Sequence, residues 1–132
     1  MTTLATLARV YVDDLDVALP TFVELTGEQP RLRFAYQDLD LASVGGYLLL
    51  AGSEEALAPY RGTHATTIVE SIDRVLRIAE QHGGEILDGP NDVPTGRNVT
   101  VRHPGGATIE YVQFHPTARS AFGTAAGGAT GN

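Results

Sequence analysis

Acid–base or metal chemistry in this chain has to come from four His and 16 Asp and Glu side chains. The 132 residues include no Cys, and all nine basic residues are Arg. Without Cys there is no thiol nucleophile, iron–sulfur cluster, zinc ribbon or disulfide framework. Without Lys there is no Schiff base, hence no pyridoxal-phosphate chemistry, and no P-loop lysine. Two residues stand out by placement. His64 opens the strand-like run His-Ala-Thr-Thr-Ile-Val, and Glu110 lies inside another, Ala-Thr-Ile-Glu-Tyr-Val. A His and a carboxylate on adjacent strands can supply metal ligands or a general base, or can simply hydrogen-bond to each other. His82 ends a helical stretch, where its cation suits the helix dipole. His103 precedes a turn and His115 closes a strand; no chemistry is assigned to these three. No G-x-S-x-G surrounds a Ser, and no G-x-G-x-x-G follows a strand. Asp13, Asp14 and Asp16 read as helix-capping and solvated carboxylates.

The elements that position His64 and Glu110 come from an internal repeat. The segment from Val10 to Asp16 resembles that from Thr67 to Asp73, and Gly45-Gly46 followed by Tyr47 to Leu50 matches Gly105-Gly106 followed by Ala107 to Glu110. Each copy opens with an alternating strand, about Leu7–Val12 and His64–Val69. A polar cap (Asp14, Ser71) starts a helix with apolar residues at three- and four-residue spacing: Leu15, Leu19, Phe22 and Leu25, then Ile72, Val75, Leu76 and Ala79. Gly27 and Gly83-Gly84 stop the helices, and Pro20 is expected to kink the first without breaking it. Three strands complete each copy, about Arg31–Tyr36, Leu39–Val44 and Tyr47–Ala51, then Glu85–Leu87, Asn98–His103 and Ala107–Phe114. The expected fold is α+β, two tandem βαβββ modules forming curved mixed sheets around a cleft. Their expected bounds are residues 1–57 and 58–116, followed by a flexible Gly/Ala-rich tail over 117–132.

Paired βαβββ modules, the helix start Val12-Asp13-Asp14-Leu15-Asp16-Val17-Ala18-Leu19 and the ending His103-Pro104-Gly105-Gly106-Ala107-Thr108-Ile109-Glu110-Tyr111 resemble the vicinal oxygen chelate superfamily. That superfamily includes glyoxalases, extradiol dioxygenases and bleomycin-resistance proteins, and the resemblance spans about residues 4 to 115. It implies a metal ligand on the first and last strands of each module. His64 and Glu110 match those positions in the second module. In the first, the repeat leads to Leu7 and Leu50, which cannot ligate a metal. Two of four ligands fall short of a firm divalent site. No metal and no cofactor are therefore expected; if a metal binds, His64 and Glu110 hold it.

Side chains alternate along strands, so the face shared with these positions can be written down. It carries Leu7, Arg9, Tyr11 and Leu50 in the first copy, and His64, Thr66, Asn98, Thr100 and Glu110 in the second. Phe34 and Tyr36 join it if their strand faces the same way. A mixed apolar and aromatic wall with a few polar groups suits a bulky apolar or aromatic small molecule. A net charge of −7 argues against nucleic acid. No run approaches the ~20 apolar residues that cross a bilayer, and the N-terminus has no signal-peptide pattern; a cytoplasmic protein without a membrane partner is expected. Exposed sheet edges lead to the expectation of a homodimer, with the modules pairing within a chain or across subunits. The resemblance implies a non-catalytic binding protein of the bleomycin-resistance type, sequestering an antibiotic or aromatic natural product. The alternatives are a metal-dependent enzyme of the glyoxalase or dioxygenase (lyase-like) class with a reduced site on His64 and Glu110, and a metal-free isomerase or epimerase using one of them as base.

Overall fold

A computed structural model of the chain describes residues 2–116; the expected tail, 117–132, lies outside the described residues. The elements in order are β1 (Thr3–Val12), α1 (Leu15–Thr26), β2 (Leu32–Tyr36), β3 (Leu39–Val44), β4 (Tyr47–Ala51), α2 (Glu54–Leu57), a 3-10 turn (Ala58–Tyr60), β5 (Ala65–Val69), α3 (Ile72–Gln81), β6 (Glu85–Val93), β7 (Gly96–Arg102) and β8 (Thr108–Phe114). This is an α+β chain of two βαβββ repeats.

Two compact units form. One is Leu7–Gly62; the other runs from Thr63 and includes the N-terminal residues up to Thr6. In the first, strand order is β2-β3-β4-β1, with β1 and β4 parallel and the other pairs antiparallel. The second repeats the arrangement as β6-β7-β8-β5, with β5 and β8 parallel. The N-terminal residues are tied into this second unit: the Thr2 carbonyl accepts from Glu70 N–H at 2.8 Å and Thr2 Oγ1 accepts from Ser71 N–H at 3.2 Å.

The helices start where capping chemistry places them. Asp14 accepts from the N–H groups of Asp16 and Val17, and Ser71 from that of Arg74. Gly27 closes α1 at φ 71°, the left-handed conformation that favours glycine. The helix continues through Pro20 as one element. Each helix packs on one sheet face. Leu15 and Leu19 of α1 meet Ala42, Val44, Leu49 and Ala51, with Val10, Val12, Phe22 and Tyr47 around them. Ile72, Val75 and Ala79 of α3 meet Val69, Val99 and Val101, with Leu76 and Tyr111 beside them. Alternation then assigns the opposite faces. β6 runs further than its sequence indicates, to Val93, through two shifts in register against β7.

Two stability predictions follow from this packing. Ser43, on the face of β3 opposite α1, is 1% exposed and its Oγ has no partner among the described residues. An unsatisfied buried hydroxyl costs about 1–3 kcal/mol, so Ser43→Ala should raise the urea midpoint, whereas Leu49→Ala should lose about 2–5 kcal/mol. Burial pushes the Tyr111 phenol above its ordinary 10.0, and its oxygen lies 2.7 Å from His103 Nε2. The folded state therefore holds the phenolic proton more tightly than the unfolded chain. That stability is present below pH 10 and lost as pH rises through the native value. Alkaline unfolding curves should show this loss, and Tyr111→Phe should remove it.

Candidate functional site

In the second unit, strand register brings the polar candidates together. Thr66 stands opposite Glu110 across β5 and β8, and Thr100 stands opposite Glu110 across β7 and β8. Asn98 lies one pair further along, opposite Val112, and reaches Glu110 diagonally. Thr66 Oγ1 donates to Glu110 Oε1 at 3.1 Å, and Asn98 Nδ2 donates to Oε2 at 3.1 Å. Asn98 Oδ1 in turn accepts from Asn91 Nδ2 at 3.2 Å. Thr66 is 3% exposed, while Glu110, Thr100, Asn98 and Asn91 are half-buried. A carboxylate with both oxygens engaged, from two different strands, is aimed and not free to rotate. Each carboxylate oxygen has two lone pairs, so an oxygen that already holds a donor remains chemically able to take a proton.

His64 is placed differently from the pairing its sequence suggests. It is exposed, and its Nδ1 accepts from Thr108 N–H at 3.1 Å. The same two residues also join through His64 N–H and the Thr108 carbonyl at 2.9 Å. His64 therefore closes the β5–β8 ladder, and Glu110 is held by Thr66 and Asn98 instead.

In the first unit, Phe34, Leu41, Leu50 and Tyr11 form one in-register row across all four strands. Because Ala42 and Val44 face α1, this row lies on the other side, and β2 does turn Phe34 and Tyr36 that way. Leu7 and Leu50 are 3% and 2% exposed; Arg9, Tyr11, Phe34 and Tyr36 are half-buried. Tyr11 Oη donates to the Tyr60 carbonyl at 2.5 Å, and the Arg61 guanidinium lies 5.3 Å from its ring centroid. Tyr11 thus pins the segment after α2 to β1. An acidic depression in this unit, with Asp13, Asp14, Asp38 and Asp40, is explained by local structure: Asp14 caps α1, and Asp40 pairs with Arg33 at 2.9 Å.

The donor set does not fit a divalent ion. Leu7 and Leu50 are buried hydrocarbon, His64 has one ring nitrogen engaged by main chain, and no three His, Asp or Glu side chains converge among the described residues. Among the described residues, no helix is long and apolar enough to cross a membrane. Two residues of interest escape sequence reasoning. Asn91 falls in a stretch with no alternating pattern, and Ser43 is visible as a strand residue but not as an orphaned hydroxyl.

No protein-family model matches the chain, and no curated protein matches it. Among solved structures, an uncharacterized protein from Methanosarcina mazei is 44% identical, with a TM-score of 0.80, covering 87% of this chain and 95% of that one. Methylmalonyl-CoA epimerase from Mycobacterium tuberculosis is 19% identical, with a TM-score of 0.67, covering 89% and 93%. A variant of the Streptomyces coelicolor methylmalonyl-CoA epimerase in complex with 2-nitronate-propionyl-CoA is 20% identical, with a TM-score of 0.66, covering 88% and 97%. The chain therefore shares the fold of these methylmalonyl-CoA epimerases.

The apolar character of the Leu50 position is testable by itself. Leu50→Glu places a carboxylate where the side chain is 2% exposed. It should cost about 3 kcal/mol or more at pH 7, with a smaller loss near pH 4, where the new carboxyl is protonated. Denaturant titrations at the two pH values measure this.

Proposed function

We propose, from the premise that this chain belongs to one family with the Methanosarcina mazei protein and has the vicinal oxygen chelate fold, that it is a metal-free isomerase or epimerase of small carbon acids, with Glu110 as the proton-transfer group. One observation carries the reading: a half-buried carboxylate held at both oxygens by Thr66 and Asn98. Holding a base in one orientation supplies the near-attack geometry that proton abstraction needs. In the proposed step Glu110 takes the proton from a carbon beside a carbonyl. The C–H electron pair moves into the carbonyl as an enolate, and return of the proton to carbon restores the acid. Inversion requires reprotonation on the face away from Glu110, where water supplies the proton while Glu110 releases its own to solvent. Acyl thioesters of the kind named for the epimerases above are one such class, and their fold likeness supports this reading over the alternative below.

A second reading is non-catalytic binding and sequestration of a bulky aromatic compound, of the bleomycin-resistance type. The row Phe34, Leu41, Leu50 and Tyr11 favours it, since an apolar guest gains ~25 cal/mol per Å² buried. Either reading has a homodimer as its expected assembly, for which sedimentation is the check.

Incubation in D2O with a panel of 2-substituted acyl compounds, methylmalonyl-CoA among them, separates the two. Deuterium uptake at the α-carbon is expected, falling at least about 100-fold in Glu110→Gln. A compound that raises Tm without exchange would favour sequestration. Exchange that survives Glu110→Gln would overturn the assigned base.

A further inference from the structure

We propose that Asn91 is a positioning residue for Glu110, acting through Asn98; its catalytic consequence rests on the proton-transfer reading above. A carboxamide has one donating and one accepting end, whereas an ionised carboxylate only accepts. Asn98 must therefore turn Nδ2 towards Glu110 Oε2, as it does at 3.1 Å, and its Oδ1 then needs a donor. Asn91 Nδ2 is that donor, at 3.2 Å. Without it, the Asn98 side-chain oxygen loses that donor and the amide is held at its Nδ2 end alone.

The backbone of β6 is arranged to deliver this donor. Asp88 pairs with Thr100, so regular pairing would put Pro90 opposite Asn98, and Pro offers neither a side-chain nor a main-chain donor. A register shift between Asp88 and Asn91 places Asn91 opposite Asn98 instead. Gly89 makes the shift possible. At φ +96°, an added Cβ there would lie 2.8 Å from the Asn98 main-chain oxygen and 3.3 Å from Asn91 Nδ2. Three features of one edge strand thus converge on the orientation of a single amide two strands away from β5.

The test removes the donor from position 91. N91D is isosteric but can only accept, so two carboxylates then compete for the single Asn98 NH2, and Asn98 Oδ1 faces an acceptor whichever way the amide turns. In the full-length wild-type protein, NOEs from the Asn98 Nδ2 protons to the Glu110 γ protons are expected. In N91D these should weaken and new NOEs to the β protons of residue 91 should appear, as the amide divides between the two orientations. N91D should also lower Tm by about 5 °C, and E110Q should recover most of that loss in N91D/E110Q, because a glutamine can donate to the rotated Asn98 carbonyl. If N91D does not fold, N91A serves: it should shift the Asn98 side-chain amide resonances, as E110Q does. Asn98 NOEs unchanged in N91D, or amide resonances unchanged in N91A, would overturn the proposal. If the rotation occurs but no compound exchanges deuterium, the positioning holds and the proton-transfer reading fails. If exchange occurs, N91D should lower kcat with KM little changed.

Discussion

Strand alternation under a single helix is the constraint on which both units depend. In each unit one long helix, α1 or α3, covers one face of four strands, so the alternate residues on that face must be apolar and packed. In the second unit that set is Val69, Val99 and Val101 with Tyr111, against Ile72, Val75 and Ala79. A one-residue slip of β8 would turn Glu110 into α3 and Tyr111 out of the core, burying a charge without partners. The packed face therefore sets the register, and the register sets which polar side chains stand beside Glu110. The same logic in the first unit puts Ala42, Val44, Leu49 and Ala51 under α1 and lines up Phe34, Leu41, Leu50 and Tyr11 on the other side.

Glu110 is held by regular strands and not by a loop. Thr66 reaches it from a parallel neighbour and Asn98 from an antiparallel one, so its orientation inherits the rigidity of three hydrogen-bonded backbones. Loops do less here: Asp14 caps α1, and Tyr11 fastens the segment after α2. Exposed ion pairs such as Arg102 with Glu85 add little stability of their own. Packing carries the fold, and hydrogen bonds carry the orientation of the site.

The amino-acid sequence by itself determined the two βαβββ repeats, the caps at Asp14 and Ser71, the helix stop at Gly27 and, outside β2 and β6, the face on which strand residues lie. These follow from local rules: a period of two along strands, a period of 3.6 along helices, and short side chains that satisfy the first helical N–H groups. It also determined that Leu7 and Leu50 cannot ligate a metal. Only the tertiary structure decided who touches whom. That His64 turns to the Thr108 main chain, that Thr66 and Asn98 share Glu110, and that Ser43 is left without a partner among the described residues all depend on register across strands distant in sequence. Asn91 shows the reason most clearly. A regular strand would present Pro90 to Asn98, and one extra residue in β6 presents Asn91. Alternation predicts faces but cannot count residues across a register shift, because the shift is set by which pairing satisfies the most hydrogen bonds once the strands have met.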